Sequence, residues 1–260
     1  MNSTLPLAGR RFLVTRPQPQ AADFVALLEQ QGGSAVCIPT IEIVPPKSWA
    51  PFDFAMQDLD DFDILILTSV NGVAAFFERL LENNQYYGVL TDMLIVAVGP
   101  KTAAAIEANH VHPDIVPADH RAEGIVAALM QHEIAGKKIL YPRAEIARPL
   151  IIEALKNGGA EVTAPVAYRT IMPKERKEEI CNLLRGGDLD AICFSSSSTF
   201  ANLYTMLGDD LKKLQGETKF FSIGPQTSET IRRHGFEVAL EPEQWTLDAL
   251  VLAMADYYSK

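Results

Sequence analysis

The chain has 260 residues, of which 48% are hydrophobic and 22% are charged, and its formal net charge is −10 at pH 7. Such an acidic chain argues against general nucleic-acid binding, which needs a basic surface. The sequence has neither a secretion signal at its N-terminus nor an apolar run of roughly 18 residues that could cross a bilayer. Its three cysteines lack metal-ligand spacing, so we expect no metal site. The missing signal and the interpretation of the cysteines as buried thiols predict a cytoplasmic protein.

Strand and helix patterns alternate along the first half of the chain. Short apolar runs predict strands at 11–15, 35–38, 62–67 and 93–98. Amphipathic patterns predict helices at 21–31, at 73–81 and from Pro100 to about Asn109. A proline-bounded stretch at 39–46 is typical of a connecting strand, and a polar, acidic segment follows it. This alternation predicts a doubly wound parallel sheet, in which ligands bind beyond the carboxyl ends of the strands.

The second half repeats the first at an offset of 125 to 127 residues. Four pairs of segments align in the same order: 9–16 with 136–143, 32–36 with 158–162, 63–66 with 190–193, and 98–102 with 223–227. The second copy has predicted strands at 138–141, 161–164, 191–194 and 220–223, a proline-bounded connector at 165–173, and helices at 149–157 and 247–254. Periodicity alone puts the boundary between the copies near residue 135. We predict two α/β lobes joined by two extended connectors, with a cleft between them.

The most similar parts of the two copies are two turns, Gly99-Pro100-Lys101-Thr102 and Gly224-Pro225-Gln226-Thr227. Each follows a predicted strand and opens a predicted helix. Proline suits the first helical position, and the free amides of a helix N-terminus attract carboxylates or phosphates. Either turn alone could simply be a good helix start, but their duplication favours an anion-binding role.

Hydroxyl groups and cations are predicted near the same strand ends. Thr68-Ser69 and the serines at 195–198 are candidate anion contacts, although each serine could simply be a helix N-cap. The nearby cations, which could also be ordinary surface residues, are Arg16, Lys101, Arg143, Arg148 and Arg169. Tyr168 is the ionisable connector residue that could act as an acid, or it could only pack there. Dinucleotide, P-loop and catalytic-serine motifs are missing, which favours a polar cleft without a cofactor.

Six short segments form an ordered set across essentially the whole chain: 14–17 (VTRP), 68–73 (TSVNGV), 98–102 (VGPKT), 167–170 (AYRT), 194–196 (FSS) and 223–227 (IGPQT). Together, in this order and spacing, they resemble the uroporphyrinogen-III synthase family. The chain departs from the family at Arg143-Ala144-Glu145, where Arg-Gly-Glu is common, and in its serine-rich second hydroxyl loop.

The resemblance implies a two-lobed fold. In it, lobe A comprises residues 1–38 and 172–260, lobe B comprises residues 45–165, and the connectors are 39–44 and 166–171. It implies that a monomer cyclises hydroxymethylbilane to uroporphyrinogen III, with inversion of ring D, loss of water and no metal or organic cofactor. It also implies that Tyr168 is the catalytic acid or leaving-group partner. The predicted substrate-binding residues are Arg16, Ser69, Asn71, Gly99, Lys101, Thr102, Arg143, Arg148, Ser196, Ser197, Gly224 and Thr227.

A non-catalytic protein of the same architecture is the alternative. Two lobes around a hinge could bind or sense an anionic tetrapyrrole, or another small anion, and leave it unchanged. The missing export signal argues against a transport role. Freshly made hydroxymethylbilane separates the alternatives, because isomer III marks the enzyme and isomer I alone marks a binder or an inert protein.

Overall fold

The computed structural model describes residues 5–16, 18–216 and 218–259. Its strands are β1 (Arg11–Val14), β2 (Ser34–Cys37), β3 (Glu42–Val44), β4 (Ile64–Leu67), β5 (Leu94–Ala97), β6 (Lys138–Leu140), β7 (Arg143–Ala144), β8 (Glu161–Thr163), β9 (Val166–Ile171), β10 (Ala191–Phe194) and β11 (Lys219–Ser222). Its α-helices are α1 (Gln18–Gln30), α2 (Ala50–Gln57), α3 (Val70–Glu82), α4 (Pro100–Glu107), α5 (Ala122–Leu129), α6 (Leu150–Asn157), α7 (Lys174–Gly186), α8 (Ser197–Leu207), α9 (Asp210–Gln215), α10 (Pro225–Arg233) and α11 (Leu247–Tyr258). Short 3₁₀ helices occupy Leu59–Asp61 and Tyr87–Asp92.

The chain divides into two compact units. Unit 1 consists of Met1–Glu42 and Ile171–Lys260, and unit 2 consists of Ile43–Thr170. Unit 1 contains a sheet in the order β11-β10-β1-β2, and unit 2 contains a sheet in the order β5-β4-β6-β8. Every pairing in these two sheets is parallel, so the predicted class of parallel α/β sheets flanked by helices is confirmed. The connecting strands β3 and β9 lie in a third sheet, ordered β3-β9-β7.

The two four-stranded sheets are the same arrangement built from opposite halves of the repeat. A shift of about 127 positions carries β1 to β6, β2 to β8, β4 to β10 and β5 to β11. This mapping turns the strand order of one sheet into that of the other. Each unit therefore combines half of the first copy with half of the second. The predicted copy boundary near residue 135 falls inside unit 2.

The central strands have no solvent-facing side, which explains their continuous apolar sequences. In β4, Ile64 and Ile66 pack with residues of α5 and α6, while Leu65 and Leu67 pack with residues of α3 and α4. The residues of β10 alternate between two core clusters in the same way. Burial on both faces is the usual state of a central parallel strand covered by helices.

The amino ends of the two sheets share one polar arrangement. Asp63, before β4, accepts hydrogen bonds from Lys137 Nζ (2.7 Å) and from the backbone N–H of Lys138 (2.8 Å). Asp190, before β10, accepts equivalent hydrogen bonds from Arg10 Nη1 (2.6 Å) and from the backbone N–H of Arg11 (2.8 Å). The repeat therefore preserves a polar contact at the end of each sheet opposite the predicted site.

The segment predicted only as polar and acidic is helical. It contains α2 and the 3₁₀ helix Leu59–Asp61, and Phe52 and Met56 of α2 are fully buried. The aspartates of this segment made its sequence look uniformly polar, so the short apolar face of α2 was not recognised. Helices α5, α7 and α9 were likewise not predicted from the sequence. Among the described residues, the helices are too short or too polar to span a membrane, and metal-ligating side chains form no group of three or more.

Candidate functional site

Five of the predicted site residues lie just beyond the carboxyl ends of strands in the two parallel sheets. In unit 2, Ser69 follows β4 and Gly99 follows β5. In unit 1, Arg16 follows β1, Ser196 follows β10, and Gly224 follows β11. We call each set the strand-end face of its unit. Pro17, which belongs to the first family-like segment, lies outside the described residues.

The two Gly-Pro turns start helices as predicted. The carbonyl of Gly99 accepts the N–H groups of Thr102 (3.0 Å) and the next residue (2.9 Å), and the carbonyl of Gly224 accepts the equivalent pair at 3.1 and 3.0 Å. The side chains of Thr102 and Thr227 are buried, with 4% exposure each. Each threonine is therefore buried within its own unit, whereas the neighbouring Lys101 is exposed.

Ser69 and Ser196 are the N-caps of α3 and α8. Ser69 Oγ accepts the N–H of Gly72 at 3.0 Å, and Ser196 Oγ accepts the N–H of Thr199 at 3.4 Å. Both serines are therefore helix N-caps, and their role as anion contacts stays a prediction. Capping leaves their own hydroxyl hydrogens available, because a cap oxygen acts as an acceptor.

Tyr168 meets one of these caps. Its hydroxyl lies 3.0 Å from Ser69 Oγ, although the two residues are 99 positions apart in the chain. Tyr168 also lines a cavity of about 200 Å³ with Trp49, Asn71 and Glu78. The structure thus brings together three predicted site residues, Ser69, Asn71 and Tyr168, and adds two cavity residues that the sequence analysis did not single out.

A second tyrosine lies beside this group. Tyr141, at the end of β6, is 4% exposed. Burial raises the pKa of Tyr141, and its side-chain hydrogen bond with Thr68 and the charge of Arg143 partly offset that rise. A phenol is already neutral at pH 7 at its ordinary pKa, and burial adds to that preference, so Tyr141 is a neutral side chain beside Thr68.

The predicted cations differ in how they are held. Arg143 Nη1 donates to the carbonyls of Ala144 and Glu145, both at 2.9 Å, and its buried Nε has no described partner. Arg148 forms an ion pair with Glu123 at 2.9 Å. Arg169 Nε donates to the Pro45 carbonyl at 2.9 Å. By contrast, Arg16 and Lys101 form no ion pair within the described part of the chain.

Two rings that no sequence motif singled out lie on the Gly-Pro turns. A Cβ atom added at Gly99 would lie 3.0 Å from His120 Cγ, and one added at Gly224 would lie 2.9 Å from Trp245 Cγ. The repeat could have identified them, because His120 and Trp245 are separated by the same 125 positions as the two glycines.

Comparison with known proteins assigns the chain to a family. A family model described as uroporphyrinogen-III synthase HemD matches residues 22–252. The chain belongs to the uroporphyrinogen-III synthase family. Family membership makes it an enzyme, a cyclising lyase of tetrapyrrole biosynthesis, and the predicted function is confirmed.

Individual members of the uroporphyrinogen-III synthase family match over nearly the full length. The chain is 35% identical to the uroporphyrinogen-III synthase of Synechococcus elongatus over 258 residues, which cover 97% of each chain. It is 31% identical to that of Chlorobaculum parvum, over 94% of this chain and 97% of the relative. The identity of the reacting and binding residues is not given by these matches and stays a prediction.

Solved structures of the family have the same fold. A mutant uroporphyrinogen III synthase from Thermus thermophilus superposes with a TM-score of 0.65 at 19% identity, covering 96% of this chain and 99% of that one. A uroporphyrinogen-III synthetase from Helicobacter pylori gives a TM-score of 0.53 at 17% identity, over 95% and 99% of the two chains. At such low identity, these likenesses support the fold alone.

Proposed function

We propose that this enzyme converts hydroxymethylbilane to uroporphyrinogen III with Tyr168 as the proton donor for the departing hydroxyl group. Family membership supports the reaction, and the hydrogen bond of 3.0 Å between the Tyr168 hydroxyl and Ser69 Oγ supports the role of the tyrosine. Loss of hydroxide from carbon is difficult unless a positioned acid protonates it, and such an acid typically contributes a factor of about 10² to 10⁴.

A relay of three groups favours donation by Tyr168. The N–H of Gly72 donates to Ser69 Oγ. When Ser69 in turn donates its hydrogen to the Tyr168 oxygen, the Tyr168 hydrogen is free to point at the substrate. Each donor in such a chain strengthens the next, and Ser69 then stabilises the phenolate that remains after proton transfer. The Tyr168 phenolate regains its proton in the last step, when the closed ring system loses a proton.

The two strand-end faces are proposed to bind the carboxylates of the substrate. Helix N-termini carry a partial positive charge, and their amide groups suit carboxylate oxygens. Gly99, Lys101 and Thr102 form one such start, and Gly224 and Thr227 form its equivalent in unit 1. The remaining proposed contacts are Arg16, Ser69, Asn71, Arg143, Arg148, Ser196 and Ser197.

Orientation of the bilane is the second task of the enzyme. After water leaves, the cationic azafulvene closes without inversion when nothing guides it. The enzyme must hold the chain so that the substituted carbon of ring D attacks and gives a spiro intermediate that reopens. Fixed geometry is worth several kcal/mol in such reactions, with an upper range of about 7–11 kcal/mol.

Product analysis tests the proposed reaction directly. Purified protein is mixed with freshly made hydroxymethylbilane, and the oxidised products are separated by chromatography. We expect isomer III in excess over the spontaneous isomer I. Isomer I alone would contradict the reaction, and bound but unchanged tetrapyrrole would support the non-catalytic binder or sensor instead.

We further propose that the enzyme is a cytoplasmic monomer that binds neither nucleic acid nor membranes. Its net charge of −10 opposes binding to nucleic acids and to anionic membrane surfaces. Its three cysteines are free thiols, as expected in a reducing compartment. Light scattering on a sizing column should give the monomer mass of 28.6 kDa. The lobe boundaries at residues 38, 45, 165 and 172 also stay a proposal, which limited proteolysis can check.

A further inference from the structure

Two rings occupy equivalent places in the two units. His120 packs on Gly99 in unit 2, and Trp245 packs on Gly224 in unit 1. In each unit the ring lies a few residues before a helix, α5 or α11. The rings therefore mark the same point of a duplicated scaffold, next to the turn that opens α4 or α10.

The backbone carries both rings to this point by the same route. An isolated parallel bridge joins Val96 of β5 to Ile115, and another joins Phe221 of β11 to Leu240. These bridges extend each sheet briefly, so the segment that follows leaves at the carboxyl end of its sheet. The placement of the rings is thus part of the repeated fold.

Each glycine is needed because of the ring rather than because of its backbone angles. Gly99 has a φ of −177° and Gly224 a φ of 174°, which is extended backbone that any residue can adopt. An added methyl group would nevertheless lie within 2.9–3.3 Å of the first atoms of the Trp245 side chain. Those atoms cannot swing away as easily as the tip of a long side chain, so the turn and the ring fit each other closely.

The rest of each ring faces solvent. Trp245 is 66% exposed, and His120 is also exposed. Exposure alone is not decisive, because Tyr86 is 71% exposed as well. Trp245 differs from Tyr86 in its position, because it stands on the strand-end face, beside a turn proposed to bind substrate. A large exposed aromatic surface that is held in place by its base is suited to covering a ligand.

The orientation of His120 is set by a hydrogen bond. Its Nδ1 lies 3.0 Å from the carbonyl oxygen of Pro117. A carbonyl can only accept, so Nδ1 carries the hydrogen and Nε2 is the free ring nitrogen. In the neutral ring, Nε2 can accept a hydrogen bond from a pyrrole N–H.

We infer that Trp245 and His120 are substrate-contact residues, each packing its ring against a pyrrole ring of the bilane. The inference rests on the proposed function. The proposed substrate-binding residues are cations, glycines, hydroxyl residues and one amide, which suit the carboxylates at the pyrrole edges. The flat pyrrole faces need apolar partners, and aromatic rings stack on such faces with centroids about 4.5–7 Å apart. Trp245 offers the larger apolar surface and makes the larger contribution.

Steady-state kinetics of ring variants test the inference. We expect Trp245→Ala to raise KM about tenfold, which corresponds to about 1.4 kcal/mol of binding, and Trp245→Phe to raise it less than about threefold. We expect His120→Ala to raise KM about threefold, with kcat changing less than KM in every variant. Tyr86→Ala is the matched control, because its exposed ring also packs on a glycine, Gly88, but lies before the amino end of β5.

Fluorescence tests the same contact without altering Trp245. The chain has two tryptophans, so Trp49→Phe leaves Trp245 as the single emitter. Titration with freshly prepared uroporphyrinogen III should quench its emission, shift it to shorter wavelength and protect it from acrylamide. The variant Trp245→Phe, which keeps Trp49, reports separately on the cavity of Tyr168.

The outcomes separate the inference from the proposed function. If the unmodified enzyme forms no isomer III, the proposed function fails whatever the variants do. If it forms isomer III while Trp245→Ala keeps KM within twofold, or if product binds without changing the emission of Trp245, the inference alone is overturned. A raised KM with the Tyr86→Ala control unchanged supports it.

Discussion

The strand-end faces of unit 2 and unit 1 share a scaffold, but their capping serines have different hydrogen-bond partners. Ser69 and Ser196 cap equivalent helices. Ser69 Oγ bonds to the hydroxyl of Tyr168 at 3.0 Å, whereas Ser196 Oγ bonds to Ser198 Oγ at 2.9 Å. The cap is thus duplicated, but within the described ranges a tyrosine bonds to the capping serine only in unit 2.

The connectors show the origin of this difference. Tyr168 lies in β9, and the position 126 residues earlier, in β3, is Glu42. Glu42 lies 3.7 Å from Arg176, in an ion pair on the surface. We infer that duplication supplied the two similar strand-end faces and that one side-chain difference in the connector supplied Tyr168, the proposed proton donor.

Replacement of Tyr168 by phenylalanine is expected to have the largest effect on activity. The variant loses the proposed acid, so kcat should fall about 100-fold or more. It also loses one hydrogen bond, which costs about 1 kcal/mol of unfolding free energy. Product formation and thermal melting measure the two effects. The control is Tyr204→Phe, a tyrosine of unit 1 that stacks on Phe200. Near-normal turnover of Tyr168→Phe would refute the assigned role.

The two capping serines sharpen the comparison. Ser69→Ala and Ser196→Ala should each lower the unfolding free energy by about 1 kcal/mol, because each helix loses its cap. Ser69→Ala should also reduce kcat about tenfold, because Tyr168 loses the partner that stabilises its phenolate. Ser196→Ala should change kcat much less. A kcat of Ser69→Ala within twofold of the unmodified enzyme would show that the hydrogen bond to Tyr168 has no part in the reaction.

Glycine replacements test whether the rings and turns fit each other equally in both units. Gly224→Ala should lower the unfolding free energy by about 1–2 kcal/mol, because the methyl group overlaps Trp245. The double variant Gly224→Ala with Trp245→Ala should recover most of that loss, and chemical denaturation measures both. We expect the same rescue for Gly99→Ala with His120→Ala. If the stability loss of the double variant equals the sum of the two single losses, the ring is not the reason that glycine is needed in the turn.

Local patterns predicted much of the fold because the repeated elements are strongly patterned. The continuous apolar runs of β4 and β10 and the Gly-Pro helix starts need no tertiary information. Helix α2 was missed because its aspartates obscured the buried residues Phe52 and Met56. The exchange of half-repeats between the units depends on which strands pair, and periodicity does not specify that.

The candidate site shows the same division. Ser69 could be proposed from its place before a helix, and Tyr168 from its place in a connector. Their hydrogen bond spans 99 residues and follows from no local rule. The ring of Trp245 could have been found from the repeat, because its offset from His120 equals that of the glycines. Equivalent positions within a repeat therefore carry information that single motifs do not.

The smallest expected effects concern the amino ends of the sheets. Hydrogen bonds from the Lys137 side chain and from the backbone N–H of Lys138 lower the pKa of Asp63. A lowered pKa in the folded state means that the carboxylate stabilises the fold above its ordinary pKa of about 4, and that this stability is lost as pH falls through the folded-state value. The Asp63 and Lys137 side chains are 35% and 46% exposed, so Asp63→Asn should cost only about 0.5–1 kcal/mol at pH 7.

The pH dependence distinguishes this contact from the strand-end face. Between pH 7 and pH 3, the melting temperature of Asp63→Asn should fall less steeply than that of the unmodified enzyme, because one carboxylate with a lowered pKa has been removed. Turnover should be unchanged, since Asp63 lies at the opposite end of β4 from Ser69. Asp190→Asn, the equivalent change in unit 1, should also leave turnover unchanged. A loss of turnover in either variant would mean that the two ends of a sheet are coupled, because neither aspartate can then be acting only on stability.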